Sequence, residues 1–175
     1  KRSGYSESHV LKAVLLMEGP IGREKIMKFL SLNEASARTI LNFLKKNGLV
    51  KSTNKGHEPT KKCKKIIKYL KANIKGPLIF GKKSITISEK NVAYIVKNRA
   101  NKIRYGIEQR DQAIIMGASG LTTIIKKGKL SIPGMKTNLD LGIEMEDGDV
   151  LLIGSANDEK IAEFAALYAA YLLLR

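Results

Sequence analysis

Apolar residues in the first part of the chain recur at helical spacing. Val10, Leu11, Val14 and Leu15 form one face of a helix expected over about residues 6–18, with Ser6 or Ser8 to cap it. Gly19-Pro20 breaks that pattern, and Gly22 leads into a second helix over residues 23–30 with Ile26, Phe29 and Leu30 inward. A short turn, Ser31-Leu32-Asn33, separates it from a third helix, for which Asn33 is a good N-cap. Ala37, Ile40, Leu41 and Leu44 give this helix its inner face, and Asn47-Gly48 closes it. Ala35, Ser36, Arg38, Thr39, Asn42, Lys45 and Lys46 fall on the outward face. A β-prone run at 49–53 and a turn at 54–57 follow. Pro59-Thr60 then starts a fourth helix, about 60–73. It has Cys63, Ile66, Ile67, Tyr69 and Leu70 on one face and Lys61, Lys62, Lys64, Lys65, Lys68 and Lys71 on the other.

The pattern changes near 73–77, where Gly76-Pro77 marks a boundary between a domain at 1–75 and another at 76–175. Beyond it, Ile85 and Ile87 alternate with polar residues, 89–91 is turn-like, and 92–96 is a second strand, so the pair reads as a hairpin. Residues 98–106 are polar and basic and follow neither period. A helix is expected at 107–116 with Ala113, Ile114 and Ile115 inward, ended by Gly117. Strands at 121–125 and 130–132 flank a turn at Lys127-Gly128-Lys129, and Pro133-Gly134 stops the second; 135–141 reads as loop. A tight turn at 146–149 leads into an apolar strand at 150–154. Ser155 or Asn157 caps a last helix at about 158–174, whose far half has almost no polar face. Such a helix is buried on most sides, against its own sheet or in a homodimer interface. The expected architecture is therefore two domains: a mainly-α unit, then an α+β domain with an antiparallel sheet and two helices.

Charge sharpens this picture. The net charge is +16, but residues 1–75 hold 18 Lys/Arg against 5 Asp/Glu, while 76–175 hold 14 against 11. A field concentrated in one domain favours a polyanionic partner, nucleic acid above an anionic membrane. A merely solvated lysine surface is the plainer alternative. One cysteine, Cys63, excludes an intrachain disulfide framework, and His9 and His57 have no partner at metal-ligand spacing. The apolar run at 161–174 is interrupted by Glu163 and is shorter than the ~20 residues that span a bilayer. With no signal peptide or lipidation motif in view, a cytoplasmic protein with no membrane partner is expected.

The order helix, helix, turn, helix, β-run, glycine turn and basic segment over about residues 5–73 resembles the winged helix-turn-helix domain. The local match is LNEASARTIL at 32–41 followed by KNGLV at 46–50. It resembles the recognition helix and first wing strand of archaeal and bacterial transcriptional regulators. The resemblance implies a recognition helix at 34–47 in the major groove of double-stranded DNA. Ala35, Ser36, Arg38 and Thr39 would then meet base edges, with Asn42, Lys45 and Lys46 near phosphates. It implies a wing over residues 51–58, with Lys51 in its first strand and Lys55 and His57 at or near its tip. The two-domain layout is similar to archaeal regulators with a poorly characterised C-terminal, sensor-like domain.

Of the contact residues, Arg38 is the best placed for direct readout, since its fork can pair with guanine O6 and N7, with a phosphate clamp as its alternative. A dimer would set two recognition helices about 34 Å apart on a pseudo-palindromic site. The second domain is expected to dimerise, bind a small effector, or both.

Catalysis is not expected, and neither is a cofactor. Gly117-Ala118-Ser119-Gly120 follows a helix and opens a strand, the reverse of a phosphate loop, and suits a helix cap. Arg110-Asp111 reads equally as a surface pair or a buried ligand anchor. Glu144, Glu146, Asp147 and Asp149 read as a turn rather than a cation site. Two histidines and one cysteine assemble no nucleophile–base set. Two alternatives stay open: an enzymatic C-terminal domain, and an RNA- or protein-docking role for the N-terminal domain. RNA binding calls for exposed aromatics, and Tyr5, Phe29, Phe43 and Tyr69 fall mostly on apolar faces of the pattern.

Overall fold

The N-terminal helices form where the apolar spacing places them. A computed structural model describes residues 5–135 and 137–175. Two compact units divide at Ala72/Asn73. In the first, α1 (Glu7–Leu16), α2 (Arg23–Leu30) and α3 (Glu34–Lys46) precede a two-stranded hairpin, β1 (Val50–Thr53) and β2 (Gly56–Pro59), and then α4 (Lys61–Asn73). Ile26, Leu30, Ile40 and Leu44 are fully buried and form the centre of this unit with Ala37, Leu41 and Val50. Each of the large side chains among them contributes about 1.5–3 kcal/mol by leaving water. The Asn33 side chain accepts from the Ser36 N–H at 2.8 Å and starts α3 as expected. Gly48, at φ +66°, ends it, with the Leu49 N–H returning to the Leu44 carbonyl at 2.8 Å.

Four expected placements in this unit are corrected. Ser36 is buried, because it lies four residues before Ile40 on the inner row of α3. Phe29 and Tyr69 stand in solvent, since Ile26/Leu30 and Cys63/Ile67/Leu70 alone fill the inner rows of α2 and α4. The hairpin turn is confined to Asn54-Lys55, so Gly56 and His57 belong to β2. His57 exchanges two 2.9 Å backbone hydrogen bonds with Ile21 and so anchors a third strand-like contact. That fixes the ladder phase: Pro59, opposite Val50, falls at a non-hydrogen-bonded position, where its missing N–H costs nothing.

The second unit is a five-stranded antiparallel sheet in the order β3-β4-β7-β5-β6. Its strands are β3 (Ile74–Phe80), β4 (Lys90–Val96), β5 (Gly120–Lys127), β6 (Lys129–Ser131) and β7 (Val150–Ala156), with helices α5 (Ile107–Ile115) and α6 (Glu159–Leu172). β7 is central and buried along its whole length. Alternation sorts its residues: Leu151 and Ile153 join Phe80, Ala93, Ile95, Ile124 and Leu130 on one face. The other face receives the helices, α6 on β4 and β7, and α5 on β5. Tyr94 on β4 donates to Glu163 of α6 at 3.0 Å; burial, then the neighbouring carboxylate, pushes its phenol pKa upward. Neither α5 nor α6 packs on the first face. Leu78, Ile85, Ile132, Leu139, Leu141, Ile143 and Met145 cover it from β3 and from irregular segments.

The hairpin expected at 85–96 is replaced by β3 pairing with β4 across a loop at 81–89. Gly76-Pro77 hid β3 from the sequence pattern. The strand tolerates the dipeptide because β3 is an edge and its register shifts there, between Lys75 and Leu78. The domain boundary accordingly moves to 72/73. Ile114 and Ile115 point outward, and Ala113 alone is buried on α5. Asp158 caps α6, accepting from the Lys160 and Ile161 N–H groups at 2.8 and 3.1 Å, while Ser155 donates to buried Asn91 at 2.7 Å. Residues 120–127 and 129–131 form their hairpin around Gly128 as expected, and 135–141 is irregular, with position 136 outside the described residues.

Gly154 faces α6 so closely that an added Cβ would meet the Ala162 carbonyl oxygen at 2.3 Å. Gly154→Ala is therefore expected to destabilise the second unit by about 1–3 kcal/mol. Gly81→Ala, in open space, is expected to stay within about 0.5 kcal/mol of the parent in the same urea titration. Equal midpoints for the two variants would show that the α6–β7 approach carries no packing constraint.

Candidate nucleic-acid interface

The exposed residues of α3 form one row. Ala35, Arg38, Thr39, Asn42, Lys45 and Lys46 are all in solvent, on the side opposite Ala37, Ile40, Leu41 and Leu44. Glu34, at the start of the helix, holds two guanidiniums: Arg38 at 2.9 Å and Arg23, from the start of α2, at 3.3 Å. These groups are about half exposed, so each pair is worth roughly 0–1 kcal/mol and releases readily to a competing anion. The Thr39 hydroxyl donates to the Ala35 carbonyl at 2.9 Å. Its outward groups are then an acceptor oxygen and a methyl.

The hairpin adds a second set. Lys51 and Glu58 face each other in the ladder and pair at 3.3 Å, so Lys51 is partly neutralised. Lys55 sits in the turn and is exposed. His57 is half-buried on β2, away from the turn, with Nδ1 3.5 Å from Ser52 Oγ. Burial first, then the positive charges of Lys45 and Arg23, holds its pKa below the ordinary histidine value. α3 and α2 thus bring Lys45 and Arg23 within electrostatic reach of His57 on β2, the start of an anion-attracting surface.

Two contributors escape the sequence pattern. Arg23 reaches Glu34 across a turn, and no periodicity in α2 reports that contact. Lys62 of α4 donates to the Asn47 carbonyl at 3.2 Å, fifteen positions back, where the last carbonyls of α3 point. A lysine there complements the negative end of the helix dipole. His9, by contrast, is occupied at the start of α1, where its Nδ1 accepts from the Ser6 N–H at 3.1 Å. Cys63 is buried, which pushes its thiol pKa up.

In the second unit the other candidates resolve into structural roles. Gly117, at φ +93°, ends α5, and its N–H reaches the Ile114 carbonyl at 2.9 Å. Arg110 and Asp111 are an exposed pair at 3.0 Å. Asp149 is buried and accepts from the Asn98 and Glu146 N–H groups at 3.0 Å; Asp147 accepts from the Gly128 N–H at 2.9 Å. Among the described residues no three His, Cys, Asp or Glu side chains are grouped to hold a metal ion. An open groove of about 520 Å³ lies between β3 and residues 141–144, with Leu78, Phe80 and Ile95 in its wall and Lys75, Lys83 and Glu144 at its rim. No helix among the described residues is long and apolar enough to cross a membrane.

Residues 8–65 match the family model described as the PH0730-like N-terminal domain, and residues 87–173 match a domain of unknown function (DUF4443). No curated protein matches the chain. Among solved structures the chain is similar to the hypothetical protein PH0730 from Pyrococcus horikoshii OT3, with 28% identity and a TM-score of 0.74, over 97% of this chain and 92% of that one. The likeness is thus to an archaeal protein and extends through both units.

Proposed function

We propose that this chain is a DNA-binding transcriptional regulator. Its N-terminal unit is read as a winged helix-turn-helix, with α2 and α3 as the two helices and the β1–β2 hairpin, braced by Ile21, as the wing. One observation carries the reading: α3 buries its whole inner row and leaves Ala35, Arg38, Thr39, Asn42, Lys45 and Lys46 together in solvent. An exposed helix of this polarity suits a major groove, where side chains read base edges and lysines meet phosphates. Ser36 leaves the contact set because it is buried. In this reading the second unit serves dimerisation or the sensing of a small effector, for which the groove beside β3 offers one cavity, and it performs no catalysis.

A second reading draws on the exposed aromatics. Phe29, Phe43 and Tyr69 are 47%, 48% and 49% exposed on the basic unit, where stacking on unpaired bases is possible. Duplex DNA is preferred because the charged and polar row lies on a single helix, whereas these three rings come from three separate helices.

Arg38→Ala is expected to lower discrimination between duplexes selected from a randomised library and unrelated duplexes by about 1–3 kcal/mol. Equal losses on all duplexes would make Arg38 a phosphate contact. Tighter binding to single-stranded RNA than to any duplex, weakened by Phe43→Ala, would replace this reading with the second.

The pH dependence has a defined sign. The folded-state pKa of His57 is depressed, so its contribution to stability is present above the unfolded value near 6.5 and is lost as pH falls through the folded pKa. A phosphate beside Lys45, Arg23 and His57 favours the protonated imidazole and reverses that bias on binding. Duplex affinity is therefore expected to rise as pH is lowered from about 8 to about 6, and His57→Gln to flatten the rise. An unchanged pH profile in the variant would place His57 outside the interface.

A further inference from the structure

The sequence of α4 has no acidic residue: Lys61–Asn73 reads KKCKKIIKYLKAN. Cys63, Ile67 and Leu70 are buried, and the opposite face carries Lys61, Lys65 and Lys68, flanked by Lys64. Lys61/Lys65 and Lys64/Lys68 are four apart; Lys61/Lys64 and Lys65/Lys68 are three apart. At these spacings like charges are neighbours on the helix surface and destabilise it. Among the described residues none of these four lysines has a carboxylate partner, whereas Lys71 pairs with Glu18 and Lys51 with Glu58. The repulsion thus concentrates on one face of one helix.

The start of α4 also lies beside the end of α3. Lys62 bonds the Asn47 carbonyl at 3.2 Å, and the Thr60 hydroxyl bonds the Gly48 carbonyl at 2.7 Å. These contacts seat the first turn of α4 beside the last turn of α3, which carries Lys45 and Lys46. From Lys61 to Lys68 the stripe is about 10 Å long at 1.5 Å per residue. That is roughly three base steps at 3.4 Å.

We propose that the outer face of α4 is a second, sequence-independent contact with the phosphate backbone of duplex nucleic acid, a track that extends the footprint of α3 through Lys61, Lys65 and Lys68. It rests on the nucleic-acid reading of the N-terminal unit but assigns a surface outside the groove-facing row. Lysines on flexible stems act as point charges and position a backbone without reading bases. A membrane surface is the weaker partner, because Cys63, Ile67 and Leu70 of α4 are already buried and its outer face carries lysines.

The test uses the full chain and duplexes of about three helical turns, titrated between roughly 50 and 200 mM salt. In Lys61→Gln/Lys65→Gln/Lys68→Gln the helix is retained, since Gln and Lys have nearly equal helix propensity; circular dichroism checks this. The slope of log affinity against log salt is expected to become shallower by about 2–3. Affinity should fall on every duplex alike, and preference among sequences should persist. The corresponding triple Arg variant should keep the parent slope. An unchanged slope in the Gln variant overturns the proposal, and so does a loss confined to anionic vesicles. Arg38→Ala, measured in parallel, separates the two assignments. Intact sequence preference in that variant with a shallower slope in the α4 variant removes α3 as the reader and keeps the α4 track. Reduced preference with no change of slope in the α4 variant does the reverse. Absence of duplex binding by the parent chain removes both.

Discussion

The outward chemistry of the N-terminal unit depends on how completely α3 buries its inner row. Ala37, Ile40 and Leu44 are fully buried and Leu41 nearly so. This fixes the rotation of the helix about its own axis. A helix held on one face by four apolar side chains cannot roll without exposing them, at about 1.5–3 kcal/mol for each large one. The two ends are fixed separately, by the Asn33 cap and by the Gly48 reversal. Arg38, Thr39 and Asn42 are therefore presented by a rigid element, the condition under which a short polar row can discriminate between partners.

Rigidity of position coexists with loosely held charge. Glu34 engages Arg23 and Arg38 on one oxygen, yet all three side chains are about half exposed. Such contacts orient the guanidiniums without committing them. A polyanion offers more negative charge than one carboxylate, so exchanging Glu34 for phosphate or a base edge is favourable wherever the geometry permits. Lys51 is in the same position relative to Glu58. Among the described residues Lys61, Lys64, Lys65 and Lys68 of α4 have no carboxylate to leave, unlike Lys71, so their like-charge repulsion is relieved by an external anion.

Legibility in the sequence followed the period of burial. α3 was readable almost to the residue because its buried positions keep strict helical spacing and its two ends carry Asn33 and Gly48. The error at Ser36 has a local cause: a small polar residue beside a cap looks like surface, yet the 36–40–44 row is interior. Phe29, Tyr69, Ile114 and Ile115 were misplaced by the opposite inference, that large apolar side chains lie inside. On short helices one narrow row suffices to seal the core, and the neighbouring apolar residues stay in solvent. β3 was missed because Gly76-Pro77 is a breaker in any central strand and is tolerated on an edge. Sheet order, and the contacts of Arg23 with Glu34 and Lys62 with Asn47, are products of tertiary approach and leave no periodic trace.

The second unit is built asymmetrically, and that asymmetry bears on its role. One face of the sheet is sealed by α5 and α6, and the Gly154–Ala162 approach leaves no room there for a ligand. The other face is covered by irregular chain. Between Asn138 and Met145 the cover is tied to the sheet at an isolated bridge, where the Leu139 N–H donates to the Leu130 carbonyl. Apolar side chains rather than a hydrogen-bond ladder hold this cover, and segments of that kind open at lower free energy than strands or helices. Any sensing by this unit is therefore to be sought on the β3 side, beneath Leu141 and Ile143, where displacing the cover breaks few hydrogen bonds and exposes the apolar wall of Phe80 and Ile95. The helical side lacks this freedom, because separating α6 from β7 disrupts the packing of the central strand itself.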